Sequence, residues 1–193
     1  MTAVGTLAAR AAQAALGTSD DKLCFYSKSA DKPAPGKGAG ERVAHPAAYA
    51  ALRARHGWRR VLSNFDECEF KFEGRTYRTV EHAFQAAKIR LADPAAAERF
   101  SVESGTELGL GDGLAARKQR KMVRLDADLL RAWDATSGQV MERLQWAKFS
   151  QCPAAAATLL DTLNAQLWHI VPRSQPVRFV GLERVRAHLR ARR

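Results

Sequence analysis

The stretch RTYRTVEHAFQAAK, Arg75 to Lys88, carries the clearest helix signal of the chain and organises the fold around it. Thr79 precedes the periodic residues as an N-cap, and Asp93 with Pro94 ends the segment. At about 100° per residue, one narrow sector of this helix is apolar and is predicted to face the core. The predicted core face consists of Val80, Phe84, Ala87 and Leu91.

The same helix carries polar residues that filling a core does not require. Glu81, Gln85 and Lys88 lie together beside the predicted core face, and His82 is predicted on the side opposite to it. Side chains in that position can line a cleft while the helix stays anchored. An acid in the first turn also complements the helix dipole, and the three residues would then form a solvated stripe. The helix by itself leaves both interpretations open.

Composition indicates a globular protein that needs no metal or disulfide. The chain has 193 residues, of which 46% are hydrophobic and 26% are charged. It has no apolar run long enough for a membrane span, and residues 1–20, which lack the apolar region of a signal peptide, are predicted to be a tail or a frayed helix. Cys24, Cys68 and Cys152 are odd in number and far apart, so we expect reduced, mostly buried thiols and a cytoplasmic location.

Local patterns predict an α+β fold that is mostly helical with a few short strands. A strand is predicted over Lys22 to Ser27, and a hairpin turns at Glu73 and Gly74. The other predicted elements are helices over 45–57, 93–105, 126–151, 153–164 and 182–190, a glycine-rich loop over 104–113, and a short strand over 176–181. Residues 21–193 are predicted to form a single domain with a Gly/Pro-rich and helical insertion at about 29–61.

The net charge of +11 and a pI near 10.1 concern partners more than fold. Positive charge is concentrated in RARHGWRR (53–60), RKQRKMVR (117–124) and the tail ERVRAHLRARR (183–193). These runs are either arginine-rich solvated faces or surfaces for a polyanion such as nucleic acid or a nucleotide diphosphate.

Two loop segments are candidates for ligand contacts. In PGKG, glycines flank Lys37, which suits backbone approach to phosphate, although the spacing of a Walker A loop is absent and a plain linker fits equally. Lys28 stands where the first strand enters this loop. It can hold a phosphate, attack a carbonyl-like carbon as a Schiff-base lysine, or be an ordinary exposed lysine.

Taken in order, the segments CFYSKSADKPAPGKG, WRRVLSNF, FEGRTYRTVEHAFQAAK and VMERLQWAKFSQCPAAAATLLDTLNAQLWH resemble the NADAR family, which includes the YbiA-like N-glycosidases. The resemblance extends from Phe25 to Thr162. It implies a mostly helical α+β fold, a cleft for ADP-ribose or a related ribosyl phosphate, and cleavage of an N-glycosidic bond. Glu81 and His82 match the family's Glu-His pair, and Gln85 and Lys88 match its Gln and Lys.

The resemblance leaves several activities open. Some members are hydrolases of riboflavin-pathway ribosylamine intermediates, and others resemble antitoxins that remove ADP-ribose from guanine in DNA, reversing a DarT-type toxin. The segment between Ser27 and Leu62 and the ending HIVPRSQPVRFVGLERVR depart from the YbiA-like pattern and favour the second branch. A module that binds NAD or ADP-ribose without turnover, or a basic DNA-binding domain, is also compatible.

The resemblance and the residue chemistry together predict the site. Glu81 is the expected general acid/base, and Lys28 either traps C1 of the ribose or anchors pyrophosphate. Asn64 suits a ribose hydroxyl or a turn cap, Phe65 or Trp133 can stack on a base, and Trp133 fits the core equally well. The predicted ligand-binding residues are Ser27, Gly36, Lys37, Gly38, Asn64, Phe65, His82, Gln85, Lys88, Arg117 and Trp133. No metal or other cofactor is expected, and the tail together with Arg117 to Lys121 can follow a DNA strand.

Overall fold

The structure, a computed structural model, describes residues 19–26, 34–171 and 174–192. Most of the predicted N-terminal tail lies outside these residues, as do Ser27 and Lys28. The chain divides into two compact units, one from Met1–Ser63 with Ala154–Arg193 and the other from Asn64–Pro153. The domain boundaries expected from the sequence stay a prediction.

Short helices outnumber strands, which confirms the predicted α+β class. In chain order the elements are β1 (Lys22–Phe25), α1 (Ala50–Ala54), α2 (Trp58–Val61), β2 (Phe70–Phe72), β3 (Arg75–Tyr77), α3 (Val80–Arg90), α4 (Pro94–Glu98), α5 (Glu107–Leu110), α6 (Gly113–Lys118), α7 (Ala127–Gln151), α8 (Pro153–Leu160), β4 (Gln166–His169), β5 (Val177–Arg178) and α9 (Val180–Ala191). Single 3-10 turns at Pro46–Tyr49 and Val102–Ser104 precede α1 and α5.

A three-stranded sheet of order β1-β4-β5 organises the first unit. β1 runs parallel to β4, with Leu23 opposite Leu167, and both side chains are fully buried. β4 then pairs antiparallel with β5. Periodicity did not predict β4, because a strand of four residues carries too little pattern to separate it from a loop.

The hairpin and the first long helix of the second unit begin where the sequence predicts. β2 and β3 pair antiparallel, and the turn residues Glu73 and Gly74 have φ values of 48° and 78°. Two positive φ angles in a two-residue turn match the twist of a hairpin. Thr79 caps α3 and accepts a hydrogen bond from the backbone N–H of His82.

The core face predicted for α3 is right for Val80 and Phe84 and wrong for Leu91. Phe84 is partly buried and packs against the core, whereas Leu91 is 42% exposed, and Ala83, Ala86 and Ile89, which were not predicted there, are buried. Because α4, α6 and α7 all contact α3, its small residues face close neighbours and almost its whole circumference is covered. A one-sided amphipathic wheel does not describe a helix surrounded in this way.

Two further predictions need correction. The predicted glycine-rich loop contains α5, where a Cβ on Gly109 would lie 2.1 Å from the carbonyl oxygen of Ser101. Cys68 and Cys152 form a disulfide with Cα atoms 6.6 Å apart, so the prediction of three reduced thiols holds only for the buried Cys24. The two bonded cysteines are 84 positions apart, and such a separation carries no spacing signal.

Candidate active site

Glu81 is a buried carboxyl in the first turn of α3, with 7% of its surface exposed. Burial raises the pKa of Glu81, while the hydrogen bond from Gln85 and the charges of Arg117 and Arg120 act in the opposite direction. An acid with a raised pKa stays protonated up to a pH nearer to neutrality, and it can therefore donate its proton there. A buried carboxyl with a raised pKa is a candidate for general acid catalysis.

Gln85 lies one turn further along the same helix and is 6% exposed. Its Nε2 donates a hydrogen bond of 2.8 Å to Oε1 of Glu81. Its Oε1 is buried and has no hydrogen-bond partner among the residues that the structure describes. A buried acceptor without a donor costs about 1–3 kcal/mol, and such atoms are rare in native proteins, where a water, an ion or a functional role usually accounts for them.

The loop that carries Asn64 is attached to α3 and to α7. The backbone carbonyl of Asn64 accepts a hydrogen bond of 3.0 Å from the N–H of Glu81. The Asn64 side chain lies 3.2 Å from Sδ of Met141 and 3.4 Å from Nε2 of Gln145, while Oδ2 of Asp66 lies 3.0 Å from Nζ of Lys148. Burial lowers the pKa of Lys148, whereas Asp66 acts to raise it.

Phe65 and Arg117 bring an aromatic ring and a cation to this part of the unit. The Arg117 guanidinium lies 5.8 Å from the centroid of the Phe65 ring. Gly113, the first residue of α6, permits this packing, because a Cβ there would lie 2.9 Å from Cδ1 and 3.0 Å from Cα of Phe65. Phe65 is partly exposed and stays the candidate for stacking on a base.

Two of the predicted ligand contacts are core residues. His82 is fully buried, not opposite to the core, and its ring nitrogens lie 2.8 Å from Oγ1 of Thr79 and 3.0 Å from the carbonyl oxygen of Leu108. The carbonyl can only accept, so Nε2 donates to it and Nδ1 accepts from the threonine hydroxyl. Trp133 is 6% exposed, with its ring 4.9 Å from that of Phe84. Both side chains are thus engaged within the protein, and we withdraw a ligand contact for each.

The amides predicted to hold pyrophosphate bind a side chain of the protein itself. The N–H groups of Gly36 and Gly38 donate to Oε2 of Glu41 at 3.0 and 2.9 Å. The Glu41 carboxylate also forms a buried ion pair of 3.0 Å with Arg59. Pyrophosphate could reach these amides only by displacing Glu41, so we withdraw this role for both glycines. Lys37 is exposed beside them.

The three basic runs differ in exposure. In the first run Arg59 is buried, and in the tail Arg186 is buried and donates hydrogen bonds to Thr162 and Ala165. The run over 117–124 is different, since all its lysines and arginines are exposed. No ion pair joins any of them to another described residue. Its members are Arg117, Lys118, Arg120, Lys121 and Arg124.

Several residues of this region were not predicted. Asp66, Gln145 and Lys148 are buried or partly buried polar groups that hold the Asn64 loop. The available signal was a glutamine and a lysine at core spacing in the long helix, within LQWAKFSQ. Periodicity identifies such a face as buried but does not identify its polar partner. Lys88, by contrast, is partly buried on the same side of α3 as Glu81 and has no ion pair with a described residue.

No described helix has the length and apolar character that crossing a membrane requires. Within the described ranges, no group of three or more His, Cys, Asp or Glu side chains is arranged to hold a metal ion.

These features define an α+β protein with a buried candidate acid–base carboxyl. The family model of the NADAR domain matches residues 53–177, and the chain belongs to this family. The NMR structure of the E. coli protein YbiA is similar with a TM-score of 0.55 and 24% sequence identity, over 69% of this chain and 79% of that one. A search of curated proteins found no match.

Membership of the NADAR family implies an N-glycosidase type of hydrolase activity in general. The likeness to YbiA concerns the fold. The family match begins at residue 53, so Gly36, Lys37, Gly38 and Glu41 lie outside it.

Proposed function

We propose that this protein is a hydrolase that removes ADP-ribose from guanine bases of DNA, as an antitoxin-like reversal of a DarT-type toxin. The observation that carries the proposal is the buried Glu81 carboxyl with its raised pKa, paired with Gln85. A carboxylic acid in this state can protonate the nitrogen that leaves when a ribose C1–nitrogen bond is cleaved.

The reaction requires one proton to move in each direction. The C1–nitrogen bond breaks with its electron pair going to nitrogen, which takes the proton of Glu81. Water adds to C1, and Glu81, now a carboxylate, accepts the proton that this water releases. The carboxyl is thereby restored, and the products are ADP-ribose and the unmodified amine of guanine.

Other residues support binding and positioning in this proposal. The unpartnered Oε1 of Gln85 can accept a hydrogen bond from a substrate N–H or O–H. Lys88 lies on the same helix, and Asn64 is hydrogen-bonded to its first turn. Lys28, which lies outside the described residues, either anchors pyrophosphate or forms an imine with C1 of an opened ribose. Lys37, an exposed cation, suits a phosphate contact.

The substrate class rests on charge. The exposed run Arg117–Arg124 lies close enough to Glu81 for Arg117 and Arg120 to act on its pKa. A row of exposed cations beside the reacting group fits a substrate carried on a phosphate backbone better than a small ribosylamine. DNA as the substrate implies a cytoplasmic location, which requires the fold to tolerate reduction of the Cys68–Cys152 disulfide.

The test is to incubate the protein with an oligonucleotide carrying ADP-ribosylated guanine and to follow ADP-ribose by mass spectrometry. We expect Glu81→Gln to reduce release by about 100-fold or more. The matched control is Glu107→Gln, which also removes a first-turn helix acid, but one that is exposed on α5.

Each outcome selects one function. Release by the wild type and by Glu107→Gln supports the proposal. No release from DNA, together with hydrolysis of small ribosylamines, favours a riboflavin-pathway activity. If ADP-ribose binds calorimetrically and nothing is hydrolysed, the protein is a binding module. DNA binding that falls steeply with salt and ignores ADP-ribose would identify a DNA-binding domain.

A further inference from the structure

The C-terminal half of α7 and the residue that follows it, Cys152, run along the segment Asn64–Cys68 for its whole length. Met141, Gln145 and Lys148 recur at helical spacing on one partly or fully buried face of α7. Met141 and Gln145 contact Asn64, Lys148 contacts Asp66, and Cys152 is bonded to Cys68. The segment is therefore attached at each second residue, twice to α7 and once to Cys152 at its C-terminal cap.

Asn64, at the N-terminal end of this segment, is hydrogen-bonded to the candidate acid Glu81. The carbonyl of Asn64 accepts a hydrogen bond from the N–H of Glu81. Glu81 lies in the first turn of α3, where a backbone N–H has no carbonyl partner within the helix. Any displacement of Asn64 therefore changes the environment of the first turn of α3. The path from Lys148 to Glu81 begins with the ion pair to Asp66. It continues through the two peptide units between Asp66 and Asn64 and ends with the hydrogen bond from Glu81 to the Asn64 carbonyl.

Stability by itself does not account for the polar character of this face. The Lys148 side chain is 0% exposed, and Gln145 is 2% exposed. Replacing a buried ion pair by apolar residues of similar size is often neutral or stabilising, so a core helix has no need of such a pair. In some proteins a buried polar contact fixes one conformation, as a buried asparagine fixes the register of a coiled coil.

We propose that Lys148, together with Gln145, is a positioning residue that holds the Asn64–Asp66 loop and through it fixes Glu81. Both side chains act through the loop that they contact and not through the substrate. This positioning role rests on the proposed function in one respect, because that function makes Glu81 the reacting group. The coupling between Lys148 and Glu81 exists whatever the substrate is.

The experiment therefore uses a measurement that needs no turnover. The pKa of Glu81 is measured by carbon NMR on protein labelled at the glutamate carboxyl carbons, with Glu81→Gln identifying the signal. Lys148→Met removes the cation and keeps the length of the side chain. The double variant Lys148→Met/Asp66→Leu removes both charges, so no charge is left buried alone. Gln145→Leu removes the second contact.

The matched control is Arg143→Met on the same helix. Its guanidinium forms a 2.7 Å ion pair with Glu73, and the side chain is 61% exposed. We expect both Lys148 variants to move the pKa of Glu81 by about half a unit or more towards its ordinary value, because a freed loop admits water. Arg143→Met should leave the pKa unchanged.

Activity gives a second, separable measurement. If the wild type releases ADP-ribose, Lys148→Met should lower kcat about tenfold or more, with KM changed by less than about threefold. If the wild type releases nothing, the proposed function fails, and the NMR titration still tests the positioning.

The proposal is overturned if the folded double variant and Gln145→Leu both keep the wild-type pKa of Glu81. Lys148 would then stabilise the fold and nothing more. Should Lys148→Met fail to fold because Asp66 is left without its partner, the other two variants decide the matter.

Discussion

The side-chain amide of Gln85 donates a hydrogen bond to Oε1 of Glu81 over 2.8 Å, while its own oxygen is buried without a partner among the described residues. This arrangement lowers the pKa of Glu81, although burial has the larger effect and raises it. Gln85 therefore lowers the pKa of the acid and has one acceptor that no described residue fills. Both properties can be measured.

Gln85→Leu removes the hydrogen bond to Glu81 and the unpartnered acceptor together. We expect the pKa of Glu81 to rise further, because the remaining influence of burial is no longer opposed by a donor. Stability should change by less than about 1 kcal/mol, since the substitution removes one buried unpaired oxygen, Oε1 of Gln85, and leaves another, Oε1 of Glu81, without its donor. Carbon NMR titration and thermal unfolding measure the two effects. Gln139→Leu on the exposed face of α7 is the control, and an unmoved pKa would contradict the assignment of the pair.

The raised pKa of Glu81 predicts a specific dependence of stability on pH. Between the ordinary glutamate pKa and the raised value, the folded state binds more protons than the unfolded state. The free energy of unfolding contributed by this group therefore falls as the pH rises through that window. Glu81→Gln removes the effect, so the Tm of the variant minus that of the wild type should increase with pH and then level off. The measurement is thermal unfolding from pH 4 to 8, and a difference that decreases with pH would show that the pKa is not raised.

Close packing at Gly109 predicts a stability difference between two glycines of the same unit. A Cβ on Gly109 would lie 2.1 Å from the carbonyl oxygen of Ser101, so Gly109→Ala should destabilise the fold by about 1–3 kcal/mol. A Cβ on Gly138 in α7 would meet no described residue outside its own stretch of helix within 4 Å, and Gly138→Ala should stabilise the protein by about 0.5–1 kcal/mol. Denaturant titration of both variants compares the two effects. If both variants changed the free energy of unfolding by the same amount and in the same direction, the close contact between Gly109 and Ser101 would be contradicted.

The Cys68–Cys152 disulfide predicts a dependence of stability on reductant. It closes a long stretch of chain, with a sequence separation of 84 residues, and its loss should cost about 2–5 kcal/mol. Thermal unfolding with and without reductant, beside Cys68→Ser, measures this loss. Cys24→Ser is the control, because Cys24 is a free buried thiol and its variant should keep the response to reductant. A protein that stays folded and active in reductant is compatible with the proposed cytoplasmic location.

Local chemistry was enough to predict the hairpin turn at Glu73 and Gly74, the Thr79 cap and the side of α3 that Glu81 shares with Gln85. Turn type, capping and helical spacing depend on residues a few positions apart, and such residues are visible in one sequence. The full amphipathic wheel of α3 failed because the helix is covered by three neighbours. How many sides of a helix are covered depends on the packing of other elements.

The sequence by itself determined which residue types could do the chemistry and placed Glu81, Gln85 and Lys88 along one helix. Only the tertiary structure decided that Glu81 is buried, that His82 and Trp133 belong to the core, and that Glu41 binds the amides of Gly36 and Gly38. The same is true of Lys148 with Asp66 and of the disulfide. These contacts join residues far apart in the chain, and a pKa depends on the burial and charge that such contacts create.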